Sequence, residues 1–298
     1  MKNDVRTVLV FSDLTEGSIA AIQAGSALAN DSGSELYLLH CVPRAAVQNR
    51  TGTVDQVTRE AQLESIRLQL EDQRNRILGR DASGVKAVVE IGTPGRQIPR
   101  FANQISADVI VLGRHQPRAS VPDLLGTTAE RVLASSDQPC LLAHEPLTHP
   151  IRHVLAATDF SPHARHALQT VVDWLGGSLA PPGGSAVVEI LHVYAFASAG
   201  YRPFAAEPML ETEIAAARLR LPDDTRITFR PRGLSAPLAV DGISRVNDEV
   251  RPDLLVMGTH GYGSVPRALL GSVASAVTRS VRRPLLVVPL HRAPPMLL

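Results

Sequence analysis

One stretch near the C-terminal end decides the fold: Asp253-Leu254-Leu255-Val256-Met257-Gly258-Thr259-His260-Gly261-Tyr262-Gly263, followed by Leu270-Gly271-Ser272-Val273-Ala274-Ser275-Ala276-Val277. It begins as a continuous apolar run, which is typical of a strand buried on both faces of a parallel sheet. Glycines then interrupt the run, and a helical pattern starts beside Gly271 and Ser272. The stretch therefore predicts a strand, a glycine-rich loop and a helix in succession.

This succession is the local arrangement that binds phosphate groups. The first N–H groups of a helix have no partner within the helix, and the helix dipole favours negative charge there. Glycines allow the backbone to approach an anion closely and adopt positive φ at little cost. An ordinary turn between a strand and a helix has the same composition, so the residues alone leave both interpretations open.

The same pattern occurs earlier in the chain. Asp108–His115 matches Asp253–His260, and Leu125-Gly126-Thr127 matches Leu270-Gly271-Ser272, both at an offset of 145 residues. The other matched pairs are Val8–Asp13 with Val154–Asp159, Leu38–Val42 with Ile190–Tyr194, and Pro139–Leu142 with Pro284–Val287. Such repetition predicts a duplicated domain, with copies at residues 1–147 and 151–298 joined by a proline-containing linker, Glu145–Ile151.

Each copy alternates strands with helices, which indicates an α/β fold. We expect a doubly wound, five-stranded parallel sheet flanked by helices, duplicated along the chain. In such folds ligands lie at the carboxyl ends of the strands. The first strand ends at Asp13 in one copy and at Asp159 in the other, and the fourth strand ends at the glycine loop. These ends should therefore meet in one crevice. A role for Asp159 as a helix N-cap is the alternative.

The composition excludes several classes of function. A net charge of +1 provides no strong field for nucleic acid or membrane surfaces. The only cysteines, Cys41 and Cys140, lie within apolar runs, so we expect buried thiols in a reducing compartment. No signal peptide or membrane-length apolar run is recognisable, which favours a cytoplasmic protein. The loop lacks the lysine of a P-loop, and no zinc-binding spacing or Gly-x-Ser-x-Gly motif is present.

The spacing of Gly258, Gly261, Gly271 and Ser272 resembles the nucleotide loop of the ATP-binding universal stress proteins, and the other matched segments extend this resemblance over nearly the whole chain. It implies that ATP, with Mg²⁺, binds in the second copy. Asp159 would lie against the nucleoside, and Val193 would line the adenine pocket. The full set of residues that we predict to bind the nucleotide is Thr158, Asp159, Val193, Met257, Gly258, Thr259, His260, Gly261, Gly271, Ser272, Val273, Ala274 and Ser275.

The first copy departs from this pattern. The position of Gly261 is taken there by Gln116, followed by Pro117, and both residues should oppose close approach of the backbone to a phosphate. We therefore expect the nucleotide mainly in the second copy. Binding by both copies is the competing hypothesis.

No general base stands out, so no catalytic residue is assigned. The favoured interpretation is a nucleotide-binding, stress-response protein with a regulatory role. A slow ATP hydrolase or other nucleotide-dependent enzyme, and a nucleotide-free scaffold, are the alternatives. The turn Asp159–His163 lacks the His-x-Gly-His signature of adenylating enzymes that share this fold. The last strand of each copy is an apolar edge, and the resemblance implies that the two edges pair within the chain. A homodimer formed through helix faces is a further option.

Overall fold

The computed structural model describes residues 5–30, 34–47, 56–113, 127–180, 185–195, 206–222, 225–261 and 270–290. The strands of the first copy are β1 (Thr7–Phe11), β2 (Glu35–Val42), β3 (Val85–Ile91), β4 (Val109–Gly113) and β5 (Cys140–Ala143). Its helices are α1 (Ile19–Asn30), α2 (Gln56–Leu78), α3 (Pro94–Gln104) and α4 (Thr127–Ser135).

The second copy repeats this order of elements. Its strands are β6 (His153–Ala157), β7 (Ala186–Ala195), β8 (Ile227–Ala236), β9 (Leu254–Gly258) and β10 (Leu285–Val288). Its helices are α5 (Pro162–Trp174), α6 (Ala206–Arg218), α7 (Ala239–Val250) and α8 (Ser272–Ser280). None of the helices in the described ranges is both long enough and apolar enough to cross a bilayer.

The strand order confirms a doubly wound sheet in each copy. The order is β3-β2-β1-β4-β5 in the first copy and β8-β7-β6-β9-β10 in the second, and neighbours within each copy are parallel. The chain reverses its direction of winding between β6 and β9, so loops leaving these two strands diverge and open a crevice at their carboxyl ends.

The two copies join into one ten-stranded sheet through their last strands. β5 and β10 pair in the antiparallel sense, with Leu141 opposite Leu286. The pairing gives two apolar edge strands a partner, as the sequence predicted, and it removes a surface prone to aggregation. Both leucines are about 1% exposed, so the junction lies within the core.

A carboxylate fixes the beginning of the first strand in each copy. Asp108 Oδ2 accepts hydrogen bonds from the backbone N–H groups of Arg6 and Thr7, both at 2.8 Å. In the second copy Asp253 Oδ2 accepts from the amides of Arg152 and His153, at 2.8 and 3.0 Å. The same device thus places β1 beside β4 and β6 beside β9.

A short irregular segment follows α5. The chain forms a π-helical turn at Leu175–Leu179, within which Gly177 has non-helical dihedral angles (φ −97°, ψ −112°). Leu175 and Leu179 anchor this turn because both side chains are buried in the core. The glycines thus interrupt the helix, and the two leucines determine the position of the segment. Residues 181–184 lie outside the described ranges.

Candidate functional site

A cavity of about 340 Å³ opens at the carboxyl ends of β6 and β9, where the sheet topology predicts a ligand site. Its volume lies within the range of small-molecule sites. The structure brings together at its wall every predicted residue except one: Thr158, Asp159, Val193, Met257, Gly258, Thr259, His260, Gly261, Gly271, Ser272, Val273 and Ala274.

Ser275 is the exception. It does not line the cavity, because it lies one turn inside α8. Its amide donates to Gly271 O at 2.8 Å, and its carbonyl accepts from the Thr278 hydroxyl at 2.9 Å. The spacing along the sequence placed Ser275 near the helix start, but the helical rotation directs it away from the cleft.

The turn after β6 presents Asp159 at the cavity wall. Thr158 Oγ1 accepts from the amide of Phe160 at 2.9 Å, and Asp159 Oδ1 accepts from the amide of Ser161 at 3.0 Å. These bonds hold Phe160 at a φ of +64°, a conformation that costs energy for a residue other than glycine. The Thr158 hydroxyl is therefore committed to the turn, while the Asp159 carboxylate is exposed at its tip.

Asp159 is not the N-cap of α5. Ser161 has that role, because its side chain accepts from the amide of Ala164 at 3.2 Å. The alternative that Asp159 serves only to cap the helix is therefore wrong. Its carboxylate instead lies against Gly261, where a Cβ atom would approach Asp159 Oδ2 to 2.3 Å.

The three described glycines of the loop are needed for close packing. A Cβ atom on Gly258 would lie 2.7 Å from the carbonyl carbon of His163, and one on Gly271 would lie 2.9 Å from Thr259 O. Positive φ is not the reason, since the described glycines with positive φ are Gly79 and Gly92. These glycines instead let neighbouring protein atoms approach the backbone closely.

The start of α8 supplies backbone donors at the cavity wall. Gly271 is the N-cap and has no side chain to accept a hydrogen bond. Within the described ranges, the amides of Ser272, Val273 and Ala274 have no protein acceptor. Such amides attract anions, and the helix dipole adds to the attraction.

One imidazole contributes to the cavity wall, and a second packs against it. His260 lines the cavity, and its Nδ1 lies 3.0 Å from Thr259 Oγ1. The His260 ring also contacts that of His163, with centroids 5.3 Å apart. By contrast, His40 and His192 are structural, because each Nδ1 lies within 2.9 Å of a backbone carbonyl, those of Ser12 and Thr158 respectively.

The opposite wall is apolar, and sequence reasoning missed most of it. Val193 and Met257 were predicted, but the wall also contains Ala157, Ala164, Leu191, Ala239 and Ile243. Alanines at strand and helix ends leave room for a flat group between the sheet and α7. The alignment of the two copies carries a signal for one of them, since Ala157 is matched by Phe11.

Two positions of the cavity wall carry different side chains in the first copy. Phe11 takes the place of Ala157 and packs against the core. Ser18 takes the place of Ala164, and its hydroxyl donates to Asp13 Oδ1 at 2.8 Å. The same oxygen accepts from the amide and the hydroxyl of Thr15, at 3.0 and 2.6 Å. Both carboxylates thus accept hydrogen bonds from their own turn, and that of Asp13 accepts from two side-chain hydroxyls as well as from an amide.

The predicted departure at Gln116 and Pro117 lies outside the described residues, as does Gly126. Phe11 and the contacts of Asp13 therefore carry the comparison between the copies. No group of three or more histidine, cysteine or carboxylate side chains within the described ranges is arranged to hold a metal ion.

The two cysteines lie in the core, as predicted. Burial raises the pKa of the Cys41 thiol to about 12, and the negative charge of Glu90 acts in the same direction. Burial likewise raises the pKa of the Cys140 thiol to about 12. Both thiols are therefore protonated at neutral pH and take no part in the chemistry of the cleft.

Comparison with known proteins agrees with the duplicated fold. A universal stress protein from Archaeoglobus fulgidus DSM 4304 superimposes with a TM-score of 0.68 at 20% identity, covering 96% of this chain and 98% of that one. A putative universal stress protein from Pseudomonas aeruginosa UCBPP-PA14 gives a TM-score of 0.58 at 19% identity, covering 96% and 93%. A functionally unknown protein from P. aeruginosa PAO1 gives 0.57 at 18% identity, covering 96% and 92%.

The family model described as "Universal stress protein family" matches the chain twice, at residues 4–144 and 150–289. The two matches together span most of the sequence, and each contains one five-stranded half of the sheet described above. The chain therefore belongs to the universal stress protein family, as a tandem member with two copies of the domain.

Proposed function

We propose that this tandem universal stress protein binds ATP with Mg²⁺ in the cleft of its second copy and acts in the cytoplasm as a stress-response regulator. One observation carries the proposal: a single cavity has an apolar wall at one side and open helix amides at the other. The alanines and Ile243 suit the adenine ring, and the amides of Ser272–Ala274 suit the phosphates.

The proposal assigns the nucleotide to the second copy. Asp159 is exposed at the tip of its turn and suits a ribose hydroxyl, which would donate a hydrogen bond to the carboxylate. Its counterpart, Asp13, already accepts three hydrogen bonds from Thr15 and Ser18. Phe11 further reduces the space available for a base in the first copy.

The proposal is tested by calorimetric titration of the wild type and of the Gly261→Gln variant with Mg-ATP, which measures the affinity of each. The new side chain would displace the Asp159 carboxylate and enter the cleft, so we expect affinity to fall by at least about tenfold. Gly84→Gln is the matched control, because a Cβ atom there meets nothing within 4 Å. Equal affinity in both variants, or no binding by the wild type at millimolar ATP, would refute the proposal.

Slow hydrolysis is a second candidate function, because the cleft wall holds an imidazole, His260, and a carboxylate, Asp159, and both side-chain types serve as general bases. We expect turnover below about one per minute, far under that of ordinary enzymes. Phosphate release from Mg-ATP by wild type and His260→Gln decides the matter: a rate that falls while affinity stays constant supports hydrolysis at this site, and equal rates contradict it.

A further inference from the structure

The first copy has a second recess, distinct from the position that matches the nucleotide cleft. This cavity of about 710 Å³ lies beyond the carboxyl ends of β2 and β3. Its wall comes from two segments: Pro43–Ala45, which follow β2, and the loop at Gly92 leading into the first turns of α3. Three of its lining residues are arginines, Arg44, Arg96 and Arg100, and none of those described is acidic.

The three arginines converge on one recess for structural reasons. Arg96 and Arg100 are one turn apart on α3 and therefore share a face of the helix. Arg44 faces them from a short 3-10 turn, Arg44–Val47, which follows β2. Each of the three arginine residues is exposed, and the described residues include no carboxylate that forms an ion pair with any of them. Their positive charge is therefore available to a ligand.

Hydrogen bonds hold both walls in place. The amide of Gly92 donates to Val42 O at 2.8 Å, and this bond fixes the β3–α3 loop beside the end of β2. Gln97 Nε2 donates to Ile91 O at 2.9 Å, and its side chain packs where a Cβ of Gly92 would stand, 2.3 Å from Nε2. Gly92 also has a φ of +147°, which favours glycine. The recess is thus a built feature of the loop.

The second copy does not repeat this charge pattern. Helix α3 begins at Pro94 after Thr93, and α7 begins at Ala239 after Leu238, which sets the correspondence between the two copies. Arg96 then corresponds to Asp241, and Arg100 corresponds to Arg245. The combination of three arginines is therefore particular to the first copy, which has Phe11 at the position of Ala157.

We propose that this recess binds a small polyanion bearing two or more phosphate groups. Guanidinium groups form paired hydrogen bonds with phosphate oxygens, and three of them around one concave site match a ligand of several negative charges. A recess whose described wall holds three arginines, in a chain of net charge +1, favours a small molecule over an extended nucleic acid. The first copy then senses a phosphorylated ligand different from that of the second.

Calorimetric titration with pyrophosphate tests this proposal in the Gly261→Gln chain, in which the cleft of the second copy is blocked. We expect one pyrophosphate site per chain. Each of the single substitutions Arg96→Gln and Arg100→Gln should lower the affinity for pyrophosphate by about tenfold. Arg245→Gln, at the matching position of α7, should change affinity by less than about twofold. Arg44→Gln lies on a different element and should also lower the affinity for pyrophosphate. It therefore tests the proposal even if an α3 variant fails to fold.

Four results would overturn the proposal: no pyrophosphate binding at millimolar concentration, binding that Gly261→Gln abolishes, equal weakening by Arg245→Gln, or equally tight binding of citrate. Binding that Gly261→Gln abolishes would place the anion in the nucleotide cleft. Equal weakening by Arg245→Gln would indicate a general effect of charge, and equally tight binding of citrate would exclude selectivity for phosphate. Because ATP binding by the wild type is measured separately, failure here leaves the proposed function of the second copy intact.

Discussion

Phe11 and Ala157 occupy the same place in the two copies. Each is the last residue of the first strand of its copy, and each is paired with a leucine of the neighbouring strand, Leu39 and Leu191 respectively. A phenyl ring therefore stands in the first copy where a methyl group stands in the second. The methyl group of Ala157 lines a cavity of about 340 Å³.

Exchanging these residues gives the sharpest test of the cavity. Ala157→Phe should weaken ATP binding by about 100-fold, because the ring would occupy the space that we assign to the base. Thermal stability should change little, since Phe11 is tolerated at the matching place. Calorimetry measures the affinity, and Phe11→Ala serves as the control that should leave ATP binding unchanged. Tight binding by the Ala157→Phe chain would contradict the assignment.

The two matching aspartates should behave differently. Asp159→Asn should reduce ATP affinity by about tenfold, as expected when a charge-assisted hydrogen bond to the ligand is weakened. Asp13→Asn should leave affinity unchanged and should lower thermal stability, because Asp13 Oδ1 holds the turn through Thr15 and Ser18. Titration and thermal melting of both variants measure these effects. A loss of affinity in the Asp13 variant would instead place nucleotide in the first copy.

The junction between the copies should make them unfold together. Leu286 is buried against Leu141 and Val256 in a core cluster that contains residues of both copies. Leu286→Ala should cost about 2–5 kcal/mol in the free energy of unfolding. Leu219 is 89% exposed, so the control substitution Leu219→Ala should cost less than about 0.5 kcal/mol in the free energy of unfolding. Urea denaturation followed by circular dichroism gives both values. Two separate transitions in the wild type would refute the joint core.

The buried thiols predict a decrease in stability at alkaline pH. Burial raises the pKa of Cys41 and of Cys140 to about 12 in the folded chain, whereas an unfolded thiol titrates near 8.5. The folded state therefore retains protons that the unfolded state loses, and the free energy of unfolding should fall as pH rises above about 8.5. The double variant Cys41→Ala/Cys140→Ala should lose this part of the pH dependence. An unchanged slope would contradict burial as the cause.

Much of the fold could be predicted because its signals are local. The apolar run that begins at Leu254 predicted a strand, and the structure has β9 there, at Leu254–Gly258. Repetition at a fixed offset predicted the duplication, and the apolar edges predicted the pairing of β5 with β10. These inferences need only periodicity and the order of elements.

The details of the site depend on contacts that are remote in sequence. Ala239 and Ile243 reach the cavity because α7 packs beside the strand that carries Val193, and no local pattern shows this. Ser275 was predicted to bind the nucleotide, but it does not line the cavity. The spacing shows that Ser275 follows Gly271 closely along the chain, but it does not show where the side chain points. The roles of the remaining predicted residues toward ATP stay predictions until a ligand is observed.

A structure determined with millimolar Mg-ATP tests the central claim most directly. The account predicts one nucleotide per chain, with its base beside Ala157 and Ile243 and its phosphates at the amides of Ser272–Ala274. An empty second cleft under these conditions, or a nucleotide seated beside Phe11 in the first copy, would contradict it.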